Sequence, residues 1–370
     1  MLEDRLKIKL GFGCMRLPMV GEDIDIPQFC RMVDTFLAAG GNYFDTARVY
    51  HGGSSETALR AALTTRHPRE SYFLADKLSD SCFRTEEDIR PFFASQLESL
   101  GVDYIDFYLM HAQNANNYKK YKATRAYETA AALKAEGKIR HVGLSFHDKP
   151  EVLDHILTDH PEMEFVQIQF NYLDYEDPGV QSRACYEVAA KHGKPMVIME
   201  PVKGGRLVRL SEKAEKIYHA LGTLSPASYA IRFAAGFPGV MMVLSGMSDM
   251  AQLEDNLSYM KDFRPLNEKE LAAVADVTKI LRAEDQIECT GCRYCVPGCP
   301  QKIAIPDLFA ALNTTLADPT SSAGREAYAR ATEEGSAPAS ACIKCGKCEN
   351  ICPQHLPVRR LLGRVKSVFE

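Results

Sequence analysis

One alternation, repeated eight times, constrains this chain more than any other feature. From residue 7 to about residue 260, short apolar runs alternate with stretches of helical apolar spacing. The apolar runs are 7–14, 43–45, 72–77, 105–111, 141–145, 165–170, 196–200 and 240–244. The helical stretches between and after them are 27–39, 55–63, 85–100, 123–135, 150–157, 178–191, 226–235 and 250–260. Punctuation supports the reading: Thr85 precedes three acids, and Gly101, Gly137 and Gly193 stop helices. Strands joined by helices run parallel, and eight such units predict a closed (β/α)8 barrel, the TIM-barrel class. An open doubly wound sheet fits any shorter stretch of the pattern. The count of eight favours the barrel. So does the lack of a Gly-x-Gly-x-x-Gly after an early strand, since Gly11-Phe12-Gly13 precedes no immediate helix.

The pattern stops after one more helical run, 267–281, and the composition changes near residue 287. We therefore expect a barrel domain over 1–283 and a small, mainly helical domain over 284–370. Of twelve cysteines, Cys14, Cys30, Cys82 and Cys185 are scattered, as small core residues would be; Cys14 ends a strand-like run and could line a pocket. The other eight form two copies of one run. Cys289, Cys292, Cys295 and Cys299-Pro300 make the first; Cys342, Cys345, Cys348 and Cys352-Pro353 make the second. This is the bacterial iron–sulfur spacing, in which the fourth cysteine of each run serves the other cluster. Cys289, Cys292, Cys295 and Cys352 are thus expected to hold one [4Fe–4S] cluster. Cys342, Cys345, Cys348 and Cys299 are expected to hold a second. Zinc sites use paired Cys-x-x-Cys without a third cysteine in step, and a disulfide framework suits exported chains. The runs resemble two-cluster ferredoxin domains. The 42 residues between them, helical at 307–312 and 325–332 with a polar 318–340 stretch of helix and mobile loop, look more like the helical type found as a tail on redox enzymes.

The N-terminus, Met1-Leu2-Glu3-Asp4-Arg5-Leu6, has no apolar leader core, so a cytoplasmic location is expected. No apolar run is long enough for a membrane span. The net charge of −5 gives no basic excess for nucleic acid or an anionic membrane.

Three strand-like runs end in polar residues that together make a proton-donating set. Asp45 and Tyr50 lie in Asn42-Tyr43-Phe44-Asp45-Thr46-Ala47-Arg48-Val49-Tyr50, Lys77 ends the third run and His111 the fourth. Reducing a carbonyl needs a hydride donor and a proton for the forming alkoxide. A phenol is a weak acid near neutrality, but a nearby ammonium favours its ionised form. A carboxylate holds that ammonium, and a histidine orients the carbonyl. Each residue alone also fits a plain loop or strand end.

These residues, with Asp45-Thr46-Ala47-x-x-Tyr50 and Ser55-Glu56-x-x-Leu59, resemble the aldo-keto reductase family over about residues 7–265. The resemblance implies Tyr50 as general acid, Lys77 and Asp45 as its tuners and His111 as substrate orienter. It also implies an extended nicotinamide cofactor, NADP or NAD. Ser145 and Gln167 match the carboxamide positions, Lys203 and Gly204 the pyrophosphate loop, and Ser245, Gly246, Gln252 and Asn256 the adenosine end. The sequence departs from the family pattern at Phe146, usually Asn, and at Met199, often aromatic. Gly246 and Gln252 stand where bases would hold a 2′-phosphate, which leaves NADH open. The stretch 112–122 reads as a solvated loop.

A hydride carries two electrons and a cluster passes one, so a flavin such as FMN would be needed to join the halves. Three readings follow. One is a reductase of a small carbonyl or alcohol whose tail exchanges electrons with a redox protein partner or is structural. Another is an electron-transfer protein on a silent barrel. The third is a metal-stapled interaction protein.

Overall fold

The computed structural model describes residues 6–333 and 335–370. The first five residues, on which the leader expectation largely rests, and Glu334 lie outside the described residues. In chain order the elements are β1 (Leu10–Gly13), β2 (Met19–Val20), β3 (Asp23–Ile24), α1 (Ile26–Ala38), β4 (Tyr43–Asp45), α2 (Ser54–Leu59), β5 (Phe73–Leu78), α3 (Glu86–Leu100), β6 (Ile105–Gln113), α4 (Asn117–Ala123) and α5 (Ala126–Ala135). Then come β7 (Ile139–Phe146), α6 (Pro150–Asp159), β8 (Phe165–Gln169), α7 (Ser182–Lys191), β9 (Met196–Met199), α8 (Glu212–His219), α9 (Pro226–Ala235), β10 (Val240–Ser245), α10 (Met250–Met260) and α11 (Glu268–Ala283). The last four are α12 (Ile305–Ala317), α13 (Ala323–Thr332), α14 (Lys347–Ile351) and α15 (Val358–Phe369).

Eight strands close into a parallel barrel in the order β1-β10-β9-β8-β7-β6-β5-β4, and β4 pairs back with β1. This is the (β/α)8 barrel that the alternation predicts. Because side chains alternate along a strand, one set of positions fills the interior. Tyr43, Phe73, Ala75, Phe107, Leu109, Phe165, Val197, Met242 and Leu244 pack there as one buried cluster. The ring of Phe107 meets those of Tyr43, Phe73 and Phe165 at 5.0, 5.9 and 5.3 Å. Gly143 makes room for this layer, since a Cβ there would sit 2.5 Å from the Phe165 carbonyl oxygen.

The hairpin β2–β3, which precedes α1, was not legible in the sequence. Nor was α4, which occupies most of the expected 112–122 loop. Its buried residues are tyrosines, Tyr118 and Tyr121, set among lysines, so its apolar face reads as polar.

The chain divides into two compact units. The first comprises Met1–Asp177, Gln181–Pro201 and Ala227–Leu271; the second comprises Pro178–Val180, Val202–Pro226 and Ala272–Glu370. The second unit has its own core, built on Ile303, Ile305, Leu308, Phe309 and Leu312, with Val358, Leu362 and Val365 of α15 packed into it. Those three lie four and three residues apart, one stripe of a helix. Among the described residues no helix is long and apolar enough to cross a membrane.

Candidate active site and cluster ligands

The alternation that buries the apolar layer also aims the next polar layer. Asp45 lies two residues beyond Tyr43, Lys77 two beyond Ala75, His111 two beyond Leu109, Ser145 two beyond Gly143 and Gln167 two beyond Phe165. Parallel register brings them alongside one another: Asp45 pairs with Ala75, Lys77 with Leu109, and Ser145 with Gln167.

Lys77, fully buried, donates from Nζ to Asp45 Oδ1 at 2.6 Å and to the Thr46 carbonyl at 2.7 Å. Its ammonium lies 5.0 Å from the Tyr50 ring centre. The Tyr50 and His111 rings stand edge to face, with centres 6.2 Å apart. Burial pushes the Asp45 carboxyl above its ordinary range, and the Lys77 ammonium opposes that rise. Burial holds the His111 imidazole well below its ordinary range, and the charges of Lys77 and His147 press the same way. The ring is therefore neutral near pH 7. Ser79 Oγ lies 2.6 Å from His111 Nδ1. If Ser79 donates, Nδ1 is the acceptor and Nε2 carries the proton.

Behind this layer, Gln96 Nε2 donates to the Lys77 carbonyl at 3.0 Å and Tyr108 donates to Gln96 Oε1 at 2.7 Å. Arg48 Nε meets the buried Glu56 carboxylate at 2.7 Å. Cys14 is buried, and its backbone N–H donates to the Asp45 carbonyl. Burial, then the Asp45 charge, raises its thiol well above the ordinary range, so it is a packed rather than a reactive thiol.

The expected nicotinamide contacts fall into three groups. Ser145 Oγ accepts from the Ala112 N–H at 2.7 Å, which leaves its own hydrogen to donate. Gln167 Nε2 reaches the Met199 sulfur at 3.6 Å, while its buried Oε1 has no hydrogen-bond partner. An orphaned acceptor and an unspent donor on adjacent strands suit a carboxamide, which both donates and accepts. Asn256 Nδ2 donates to Ser245 Oγ at 2.9 Å, both buried. Gln252 is exposed and donates to Asp249 Oδ2 at 2.8 Å; a Cβ on Gly246 would meet the Arg16 side chain at 3.2 Å. Lys203 and Gly204 belong to the second unit. There Lys203 Nζ meets Glu288 Oε2 at 3.1 Å and Gln354 Oε1 at 3.3 Å.

Two residues escaped the sequence reading. Ser79 is brought to His111 by strand register, since Leu78 pairs with Met110, and spacing alone gave no signal for it. Asp174, which accepts from Gln169 and Asn171 at 2.7 and 2.6 Å and braces the end of β8, had none.

The cysteines of the tail fall into two sets of four. Cys299, Cys342, Cys345 and Cys348 line one pocket with Pro300, Ile303 and Arg359. Cys295 lies among Cys289, Cys292 and Cys352; burial, then these neighbouring sulfurs, pushes its thiol up to about 12. Each set draws three sulfurs from one run and one from the other, the crossed arrangement of a two-cluster domain. Four thiols converging in this way fit a [4Fe–4S] cube, which would take them as thiolates. Among the described residues, no three Cys, His, Asp or Glu side chains stand close enough for a single metal ion.

Fold and site together define a class: a (β/α)8 barrel with Tyr, Lys, Asp and His gathered at the C-terminal ends of its strands, plus a cysteine-rich helical tail. The Aldo/keto reductase family pattern matches residues 9–279, and the chain belongs to that family. A 4Fe-4S dicluster domain pattern matches residues 288–356. The chain is 31% identical over 192 residues to an NADH-specific methylglyoxal reductase of Escherichia coli, covering 45% of this chain and 56% of that protein. It is 34% identical over 151 residues to an aldo-keto reductase of Mycolicibacterium smegmatis, covering 41% of this chain and 50% of that protein. The chain thus spans about half the length of these relatives. An aldo-keto reductase of Bacillus halodurans, solved in a holo form, superposes with a TM-score of 0.59 at 25% identity, covering 73% of this chain and 91% of that one.

Proposed function

We propose that this chain is an oxidoreductase that interconverts a small carbonyl and its alcohol at Tyr50, Lys77, Asp45 and His111. The observation that carries the reading is the buried Lys77 ammonium, held by Asp45 and the Thr46 carbonyl within 5.0 Å of the Tyr50 ring. A fixed cation there lowers the cost of phenolate as Tyr50 gives its proton to the developing alkoxide. His111, neutral and oriented by Ser79, donates from Nε2 to the carbonyl oxygen and fixes the face it presents. Asp45 keeps the ammonium in place while the proton leaves. A nicotinamide dinucleotide, when bound, supplies or takes the hydride. Its carboxamide would be held by Ser145 and Gln167, and its adenosine by Ser245, Gly246, Gln252 and Asn256. Residues 1–283 form the reductase part in this reading.

The tail, 284–370, would hold two [4Fe–4S] clusters in the crossed sets described above, and exchange single electrons with a redox protein partner. This is supported by the two sets of four sulfurs and by the dicluster pattern.

At the adenosine end the Asp249 carboxylate holds Gln252, where a 2′-phosphate would need a base. A phosphate beside a carboxylate is disfavoured, so NADH should exceed NADPH in kcat/KM by about tenfold or more, equivalent to about 1.4 kcal/mol. Steady-state assays with both cofactors and a series of small aldehydes and dicarbonyls, methylglyoxal included, test this. No turnover of any carbonyl with either cofactor would sink the reductase reading; equal use of both would sink the NADH preference alone.

A further inference from the structure

Lys203 and Gly204 follow β9, where the family resemblance puts a pyrophosphate-binding loop. Within the second unit their contacts run to the cysteine-bearing segments of the tail. The Lys203 side chain is buried, and its backbone adopts the left-handed region at φ 46°, an uncommon conformation for a residue with a Cβ. Its ammonium meets Glu288 at 3.1 Å and Gln354 at 3.3 Å. Glu288 immediately precedes Cys289, and Gln354 stands two residues after Cys352. Cys289 and Cys352 belong to the same set of four sulfurs, yet lie at opposite ends of the cysteine-rich sequence. Lys203 therefore joins the two chain segments that must meet for that set to form.

Gly204 makes the second contact. At φ 61°, a Cβ there would fall 2.5 Å from the Thr290 carbonyl oxygen and 2.7 Å from its Cα. Thr290 lies between Cys289 and Cys292. Only a glycine lets the ligand-bearing backbone come this close. Arg206, three residues on from Lys203, pairs with Glu284 just upstream of the first cysteine run.

We propose that the loop after β9 is part of the housing of the first cluster, with Lys203 as a positioning residue that sets its reduction potential and Gly204 as the contact that lets its ligand loop close. The proposal rests on the assignment of Cys289, Cys292, Cys295 and Cys352 to one [4Fe–4S] cluster. Reduction adds one electron, and so one negative charge, to the cluster. A buried cation beside the ligand segment favours the reduced form, and an anion there opposes it. The two members of the Lys203–Glu288 pair thus act with opposite sign.

The test uses full-length protein prepared anaerobically, with iron analysis, electron paramagnetic resonance of the dithionite-reduced protein and a mediated redox titration. Wild type should hold about eight irons, four per cluster; a wild type without two clusters would overturn the assignment on which the proposal stands. Lys203→Gln should move one cluster to a more negative potential, and Lys203→Arg should restore it. Glu288→Gln, at a half-exposed site that tolerates neutral replacement, should move the same cluster to a more positive potential. A purely structural role would not give shifts of opposite sign. Gly204→Ala should lose one cluster, with iron falling by half while the second cluster's signal persists. Eight irons and unchanged potentials in all four variants would overturn the proposal, above all if Lys203→Gln instead weakened nicotinamide binding.

Discussion

At the scale of single residues, charge and tautomer decide what the barrel site can do. His111 is held neutral by burial and by the Lys77 charge. Its protonation should therefore leave no inflection near 6.5, and kcat/KM should stay flat in that respect from pH 8 down to well below 6.5. A rate profile between pH 5 and 8 checks this; a clear loss centred near 6.5 would mean that His111 titrates as an exposed imidazole does. Lys77 and Asp45 are both buried, so removing one partner strands the other. Lys77→Met should cost about 3–5 kcal/mol of stability, read from denaturant unfolding, and abolish turnover. Unchanged stability would mean that the pair is solvated rather than buried. Sequence made Asp45, Lys77 and His111 legible because each follows an apolar run with strand periodicity. Ser79 and Asp174 were not, because their partners depend on strand register and on loop paths that spacing does not encode.

Among elements, β7 and β8 show how a loop is fastened. Glu164, just before β8, accepts from the Val142 N–H at 2.9 Å, from His141 Nδ1 at 2.9 Å and from Lys134 Nζ. Burial alone would raise its carboxyl, but these bonds prevail and hold it down at about 2, against an ordinary 4.5. A carboxyl lowered by folding stabilises the native state above its unfolded pKa, and that contribution fades as pH falls toward the folded one. Glu164→Gln should thus be less stable than wild type above about pH 4.5. The gap should narrow steadily as pH falls toward 2. Thermal or urea unfolding across that range gives the answer, and a gap independent of pH would contradict it. Element boundaries followed the sequence best where punctuation is strong. The helix expected over 250–260 and observed as α10 begins at the Asp249 cap, whose side chain accepts from the Gln252 N–H. They failed where apolar content hides: α4 buries tyrosines, α14 lies inside the second cysteine run and α15 follows it, where the sequence reads as ligand loop.

For the whole molecule, the proposed reading joins two kinds of redox chemistry in one chain. The barrel offers a proton donor suited to a two-electron hydride step, and the tail offers two sets of four thiols suited to single electrons. The eightfold alternation and the doubled cysteine run were both plain in the sequence, because each is a periodic signal. That segment 202–226 groups with 272–370 was not, because compactness is a property of the folded chain. The central claim is that hydride passes directly between nicotinamide and a carbonyl carbon beside Tyr50. It is tested most directly by supplying nicotinamide deuterated at its transferable position, under anaerobic conditions, and locating the label in the alcohol product. The account predicts deuterium on the carbinol carbon, and a rate about 10²–10⁴-fold lower in Tyr50→Phe, as loss of a general acid would give. Label lost to water, or a Tyr50→Phe variant as fast as wild type, would contradict it.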